Sequence, residues 1–600
     1  MSRVQQSVVV HAHCYQPPRE DPWLEVVEAE PSASPDHDWN ARIDRECYAR
    51  LGVAESRTRD KRAAPRDPDA RSGLSRIVNL YGWCSFDVGA TLCEWLETEA
   101  PHTLAAMQAG DAASVHRWGH GNAMAAPYHH VILPLASRRD KVTEVRWGMA
   151  DFRKRFRRDP EGMWLPECAV DDETLDVLAQ EGIRFTILAP YQVRGAEGTH
   201  GMPVRWRGAS GRELTILPYD GNLAGEVAFG GLLREATTLA NRLARPESVN
   251  DGITRCTTLA TDGETFGHHH RGGDSTLADA FVQIADRRTG LVTNPAALVA
   301  NNPPTRDVTL VSPSAWSCAH GVERWRSNCG CRLDGSRPPA QEWRGPLREA
   351  LRVLADHCHE VFEREGQRLF REDPWAVRDA YGDVVGHDGE VLETFVRAHL
   401  ADHLIGRDVQ RARELLELER ATLRMFTSCA WFFDDVDRIE TRQVLRYAAR
   451  ALELSGMAAH LAPEFVHALE SARGSTAGSG TASDLFVREA LPHRDAAWSV
   501  AAGAIACASL GVHHTLIACY DVQVRPHDSA WEATVTHRRT GHSALLSGRA
   551  IGAGPALTVC VTQADVADGA LHEIPIHEFP ESLARELLRG FANDDDALLS

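Results

Sequence analysis

Over residues 7–305 one pattern recurs: a short run rich in β-branched and apolar residues, followed by a segment with helical periodicity. "SVVVHAH" and "GMWLPE" read as buried strands, and "IRFTILAP" (183–190), "ELTILPYD" (213–220) and "TRCTTLATDGE" (254–264) extend the series. Between them "VDDETLDVLAQEG" offers Asp171 and Asp172 as N-caps, Leu175 and Leu178 at helical spacing, and Gly182 as the stop. Strand and helix alternating in this way build a parallel sheet whose crossovers are helices, and an α/β fold in the form of a (β/α) barrel is expected over 1–305. Residues 20–75 interrupt the series. They are polar, Pro-rich and charged with both signs, as in "DPDARSG", and read as a covering loop or mobile insert.

"NNPPTRDVTLVSPS" (301–314) marks a boundary, beyond which the pattern turns helical over 306–470. Leu392, Val396, Leu400 and Leu404 keep i, i+4 spacing, as do Leu445 and Ala449, with Leu452 three residues on. "SARGSTAGSGTASD" (471–484) reads as a flexible linker. After it, 485–600 alternates at strand period and predicts a small β-rich domain, closed by a helix near "ESLARELLRGF".

Charge excludes some partners. Asp and Glu number 84 against 65 Lys and Arg, a formal net charge of −19, which repels phosphate backbones and anionic lipid. Nucleic acid and membrane are therefore not expected partners, and a neutral polymer is allowed. The N-terminal apolar run, Val8–Val10, is too short for a signal segment, and no stretch reaches the roughly 18–20 apolar residues of a membrane span. The 14 cysteines show no regular framework, as expected of thiols in a reducing compartment. A cytoplasmic location is the expectation.

Four stretches carry chemistry. "HAHCYQPP" supplies His11, His13 and Gln16, the two histidines facing one side of a strand. "HGNAMAAPYHHVILPLA" supplies His120, Asn122, His129 and His130. "GMWLPE" ends on Glu167 behind Trp164 and Pro166, and "TDGETFGHHH" supplies Asp262, Glu264 and His268–His270. Taken singly, each has a plain alternative: a solvated loop acid, a buried polar pair, a turn dipeptide, a solvated cluster. Taken together they follow separate strands, and in a barrel the loops after the strands open on one face. Two carboxylates brought together there suit glycoside hydrolysis by a nucleophile and an acid/base. Histidine and Gln suit sugar hydroxyls, and aromatic rings suit the faces of a pyranose. A metal centre is the competing use of His and Asp at strand ends.

These residues resemble glycoside hydrolase family 57, a group of α-glucan-active enzymes that includes α-amylases, glucanotransferases and branching enzymes. "HAHCYQPP" is similar to the first family motif, "HHVILPLA" to the second region, "GMWLPE" to the third and "TDGETFG" to the fourth. The resemblance implies an incomplete (β/α)7 barrel followed by a helical region. It implies Glu167 as nucleophile and Asp262 as acid/base of a retaining double displacement on an α-glucan or oligosaccharide. It gives His11, His13, Gln16, His130, Trp164 and Glu264 places around the sugar, and requires no cofactor. "TSCAWFFDD" (427–435) is the nearest match to the fifth motif, with Trp431 expected over the site and Cys429-Ala430 where the family carries Ser-Asp. Water or a second sugar as acceptor separates hydrolysis from transfer. A metal-dependent carbohydrate hydrolase of deacetylase type, or a non-catalytic glucan-binding protein, are the alternatives.

One further set stands apart. "SCAHGVERWRSNCGC" carries Cys318, His320, Cys329 and Cys331, a Cys3His combination that can hold zinc. Its spacing, C-x-H-x8-C-x-C, is not a standard finger pattern, so ordinary thiols rank ahead of a metal site. Arg324 and Trp325 in the same stretch are candidates to reach the glucan.

Overall fold

The computed structural model describes residues 6–56, 76–244, 253–335, 341–475, 478–491, 496–563 and 571–598. The chain divides into two compact units, 1–17 with 32–331, and 18–31 with 332–600.

The first unit is built around strand β1, Gln6–Cys14, buried along its whole length. Three consecutive valines suit a strand covered on both faces, because their stiff branched side chains pack well on a pleated surface. Strands β2 (Ser85–Val88), β3 (Ala123–Met124), β4 (Phe185–Leu188), β5 (Glu213–Pro218) and β6 (Arg255–Asp262) share the sheet system. β6 runs parallel to β1 from Gln6↔Arg255 to His13↔Asp262, and β2 flanks its other edge from His11↔Ser85 to Cys14↔Val88. β2 pairs in parallel with β3. The series continues through parallel bridges Ala125↔Met163 and Gly162↔Phe185, so residues 162–163 act as an extended run without a full strand. β4 then pairs in parallel with β5. These seven parallel runs make the expected partial barrel. β5 gives its second edge to the antiparallel strand Val204–Arg207, so the ring stays open between β5 and β6. At that seam the amide of Asp220 donates to the carbonyl of Thr258 at 2.7 Å.

The helix expected after "GMWLPE" spans Asp172–Gln180, its N-cap Asp171 accepting from the amide of Thr174. Of the 20–75 stretch, 57–75 lie outside the described residues. Residues 39–52 are helical, and the Tyr48 hydroxyl donates to the carbonyl of Tyr15 at 3.0 Å. The 301–314 boundary is not where the first unit ends. Asp307–Leu310 pairs with Val204–Arg207 and Val193–Arg194, and backbone pairing needs fix it in this unit regardless of its Pro-rich lead-in.

The second unit combines the helical region with the C-terminal sheet. Long helices cover Arg344–Leu369, Arg407–Arg424 and Ile439–Ser455. The helix carrying Leu392 and Val396 ends at His399. Leu400 is extended because it pairs with Phe370, so the i, i+4 pattern overruns the helix there. Of the 471–484 stretch, 476–477 lie outside the described residues; among the rest, Ala482 N donates to Ala472 O, Gly474 N to Gly480 O, and the Ser479 hydroxyl to Asp435. Six strands then form one antiparallel meander: β7 (Leu516–Ile517), β8 (Tyr520–His527), β9 (Ala530–His537), β10 (Ser543–Ile551), β11 (Thr558–Gln563) and β12 (His572–Pro575). The buried, Ala-rich helix Ala496–Ser509 packs on this sheet, and the closing helix Glu581–Leu598 follows.

The segment 18–31 is a short excursion of the N-terminal chain into this unit. Glu20 meets Arg424 and accepts from the Tyr447 hydroxyl; Glu25 meets Arg420 and Arg539. The Trp23 ring N–H donates to Glu453. Among the described residues no helix is long and apolar enough to cross a membrane.

Candidate active site

The functional side chains of the first unit gather at the C-terminal ends of β1, β2 and β6 and after the extended run at 162–163. His11 and His13 lie two apart on β1, and both turn to Asp87 on the neighbouring β2. His11 Nε2 is 3.1 Å from Asp87 Oδ1, and its Nδ1 is 3.0 Å from the Ser85 hydroxyl. His13 Nδ1 is 2.9 Å from Asp87 Oδ2, and its Nε2 is 3.1 Å from Nε2 of His130. Asp87 is completely buried. An isolated carboxylate could not stay charged there, and two imidazoles compensate it. Asp87 belongs to this constellation although the sequence did not single it out, as do Trp316 and Ser317 described below. The available signal was an Asp inside the apolar strand "SFDV".

The histidines differ electrostatically. Burial holds His11 below the usual imidazole range, with Asp87 offsetting only part of it. Burial also opposes charge on His13, yet Asp87, Asp262 and Glu167 together hold its pKa above the ordinary value. Burial and the neighbouring His13 push His130 well down. A protonated His13 therefore donates from both nitrogens, to Asp87 and to a neutral His130. The rings stack: Tyr15 on His130 with centroids 3.6 Å apart, and His11 and His13 against Trp164 at 4.6 and 5.3 Å.

Glu167 stands at a bend. Its φ is +59° and that of Cys168 +47°, both in the left-handed region that costs L-residues energy. Such strain persists only where the surroundings impose it. Here residues 314–317 do so. Val170 and Ser314 exchange two backbone hydrogen bonds, and Trp316 N donates to Glu167 O at 2.9 Å. The Trp316 ring N–H then donates to Glu167 Oε2 at 3.0 Å, joined by the Ser317 hydroxyl on the same oxygen. Burial raises the Glu167 pKa; Ser317, Arg324 and Trp316 oppose this, while Asp262 adds to it.

Asp262 closes β6 directly opposite His13 in the ladder. It is open to solvent, but the protein crowded around it raises its carboxyl; His13 and His269 oppose that and Asp87 reinforces it. The next residue, Gly263, sits close to β1: a Cβ there would lie 3.0 Å from Cys14 Sγ and 3.1 Å from His13 O, tight enough that these neighbours would have to give by a few tenths of an ångström.

Gln16 donates to Glu264 and, at 3.0 Å, to the Tyr15 carbonyl. Glu264, His268 and His269 converge as a group, with His268 paired to Glu46 at 2.6 Å. Of the second stretch, only His130 joins the constellation described. His129 is buried on Glu144 at 2.8 Å, and His120 binds Glu161 at 2.9 Å, both structural pairs. Asn122 donates to the Tyr81 carbonyl. Trp431 belongs to the second unit, where it is fully buried and donates to the Arg344 carbonyl at 3.1 Å; no face of it is left exposed to a sugar. Cys318, His320, Cys329 and Cys331 come together.

The chain has recognisable relatives. Residues 10–309 match the family model described as glycosyl hydrolase family 57, and residues 340–563 match a domain of unknown function, DUF3536. An α-amylase of Pyrococcus abyssi is 22% identical over 183 residues, 30% of this chain and 26% of that protein. The match thus spans about a quarter of that relative's length. The structure of an exo-type maltose-forming amylase from Pyrococcus sp. ST04 superposes with TM-score 0.60 at 14% identity, covering 78% of this chain and 82% of that one. A branching enzyme from Thermococcus kodakaraensis gives TM-score 0.46 at 14% identity, over 78% of this chain and 91% of that one.

Proposed function

The chain belongs to glycosyl hydrolase family 57, and on that premise we propose that it cleaves or transfers α-glucan chains by retaining double displacement, with Glu167 as nucleophile and Asp262 as acid/base. The observation that carries this reading is the setting of Glu167. It is held in a strained turn with two donors converging on one carboxylate oxygen, Oε2. That leaves Oε1 to attack an anomeric carbon, and a fixed rotamer lowers the entropic cost of attack. The raised Asp262 carboxyl supports the acid role, because it can hold a proton into the range where a carboxylate would ordinarily have lost it.

In the first step Glu167 bonds to the anomeric carbon while Asp262 gives its proton to the leaving oxygen. In the second, Asp262 takes a proton from water or from a sugar hydroxyl, which displaces Glu167. His13, whose pKa is held up against burial by Asp87, Asp262 and Glu167, favours the ionised forms of the two carboxylates in return; with both ring nitrogens engaged by Asp87 and His130, it acts from behind the sugar subsite. Gln16, His130 and Glu264 complete the proposed sugar subsite; Trp164, as fully buried as Trp431, backs it by stacking on His11 and His13, and His11 lies behind as the residue that shares Asp87.

The test is incubation with maltooligosaccharides and amylose, with products resolved by size. Glu167→Ala and Asp262→Ala are each expected to lower kcat by roughly 10²-fold or more. Azide should rescue Glu167→Ala by attacking in the nucleophile's place and yield a glucosyl azide. Products longer than the substrate would mean transfer; shorter ones alone would mean hydrolysis. Glucan binding without turnover by the wild type would sink the catalytic reading.

A further inference from the structure

The loop that carries the two Glu167 donors continues directly into a second cluster. Cys318 follows Ser317, and Cys318, His320, Cys329 and Cys331 each offer a ligand atom, all within 4.8 Å of one another. Cys318 Sγ is 3.9 Å from Cys329 Sγ and 3.8 Å from Cys331 Sγ, and Cys331 Sγ is 3.5 Å from His320 Nδ1. A disulfide would require about 2.05 Å, so none joins these sulfurs. A tetrahedral zinc ion with Zn–S of about 2.3 Å and Zn–N of about 2.0–2.1 Å has S–S edges of about 3.8 Å and S–N edges of about 3.5 Å. The three edges given above have those lengths, and the other ligand atoms lie within 4.8 Å of one another.

The backbone is shaped for this. Gly330, between Cys329 and Cys331, has φ +80°, a conformation that favours glycine, and the turn brings both thiols toward Cys318. Cys318 is buried, Cys329 and Cys331 are half-buried and His320 is exposed, so the ligand set reaches the surface and an ion can enter. With the nearby strained turn at Glu167 held by residues 316–317, a clip beginning at the next residue has an evident use.

We propose that Cys318, His320, Cys329 and Cys331 form a structural Cys3His zinc site that clips the 318–331 loop and thereby fixes Trp316 and Ser317 on Glu167. A fourth protein ligand closes the tetrahedron, which makes the site structural rather than catalytic. Zinc would replace the thiol protons, releasing them on binding, with no redox step. Metal binding stands on the cluster alone; its effect on turnover rests on the nucleophile reading of Glu167.

The experiment is metal analysis of the full chain purified with added zinc and dialysed, together with cobalt(II) substitution. About one zinc per chain and the intense visible bands of tetrahedral cobalt with sulfur-to-metal charge transfer are expected. Cys329→Ser/Cys331→Ser should lose both. Should that variant fail to fold, the wild type is stripped with chelator and reloaded. Alkylation of Cys329 and Cys331 should be fast in the stripped protein and slow after reloading. Substoichiometric zinc, an octahedral cobalt spectrum, or alkylation unchanged by zinc would each overturn the site. Zinc bound as expected but with turnover unaltered by its removal would overturn the positioning role, leaving the metal site intact. Absence of any turnover, with zinc bound, would count against the nucleophile reading instead.

Discussion

At the scale of single residues, the proposed site is a set of charges kept apart by their partners. Asp87 is charged because two histidines surround it, and Glu167 and Asp262 are raised because protein crowds them. The pH profile follows with a definite sign. Glu167 must be ionised to attack, so kcat/KM should fall as pH drops through its raised pKa. Asp262 must be protonated to act first as acid, so activity should fall as pH climbs through its raised pKa. Asp262→Ala assayed on an aryl glucoside with a good leaving group should lose the alkaline limb and keep the acid one. An alkaline limb unchanged in that variant would remove Asp262 from the acid role. His11, His13, Glu167 and Asp262 were legible in the sequence because each ends or closes a recognisable strand run. Asp87 was not, because its strand is only Ser85–Val88 and its partners are far away in sequence. The burial of Trp431 was equally invisible, since motif position says nothing about which way a ring faces.

At the scale of elements, long buried runs were readable and short ones were not. β1, β4, β5 and β6 carry enough apolar or β-branched residues to be seen, whereas Ala123–Met124 becomes a strand only because β2 supplies an edge. Leu400 shows the converse: propensity favoured helix, and pairing with Phe370 won. Helices Pro374–Tyr381 and Arg407–Arg424 are joined by Arg378 and Glu419, 2.7 Å apart and both fully buried, with His359 at 3.0 Å on the same carboxylate. Burial disfavours the Glu419 charge, but His359 and Arg378 hold its pKa below the usual range. Its contribution to stability is therefore present above the ordinary Glu pKa and is lost as pH falls through the depressed one. Arg378→Ala should cost roughly 3–5 kcal/mol in denaturant unfolding, because Glu419 loses a buried partner. Arg378→Met with Glu419→Leu should recover most of that loss; no recovery would mean the pair matters for shape rather than charge.

For the whole molecule, the two-unit division was only partly foreseeable, because backbone pairing at 307–310 and the excursion at 18–31 both ignore composition boundaries. Trp23 and Leu24 are buried within the second unit, alongside Glu20 and Glu25 with their arginine partners. A chain stopped after Cys331 should therefore expose that segment, bind a hydrophobic dye and aggregate more readily than the full chain. A monomeric, dye-silent truncation would contradict this. Glu25 meets Arg539 across 514 positions of sequence. In the order of synthesis, the first unit is fully made at residue 331, yet the excursion must wait for residue 539. At about 5–20 residues per second those intervening residues take roughly 10–40 s to appear. During that interval a nascent chain holds a finished domain beside a segment whose Trp23 and Leu24 are uncovered and whose Glu20 and Glu25 still lack their arginine partners.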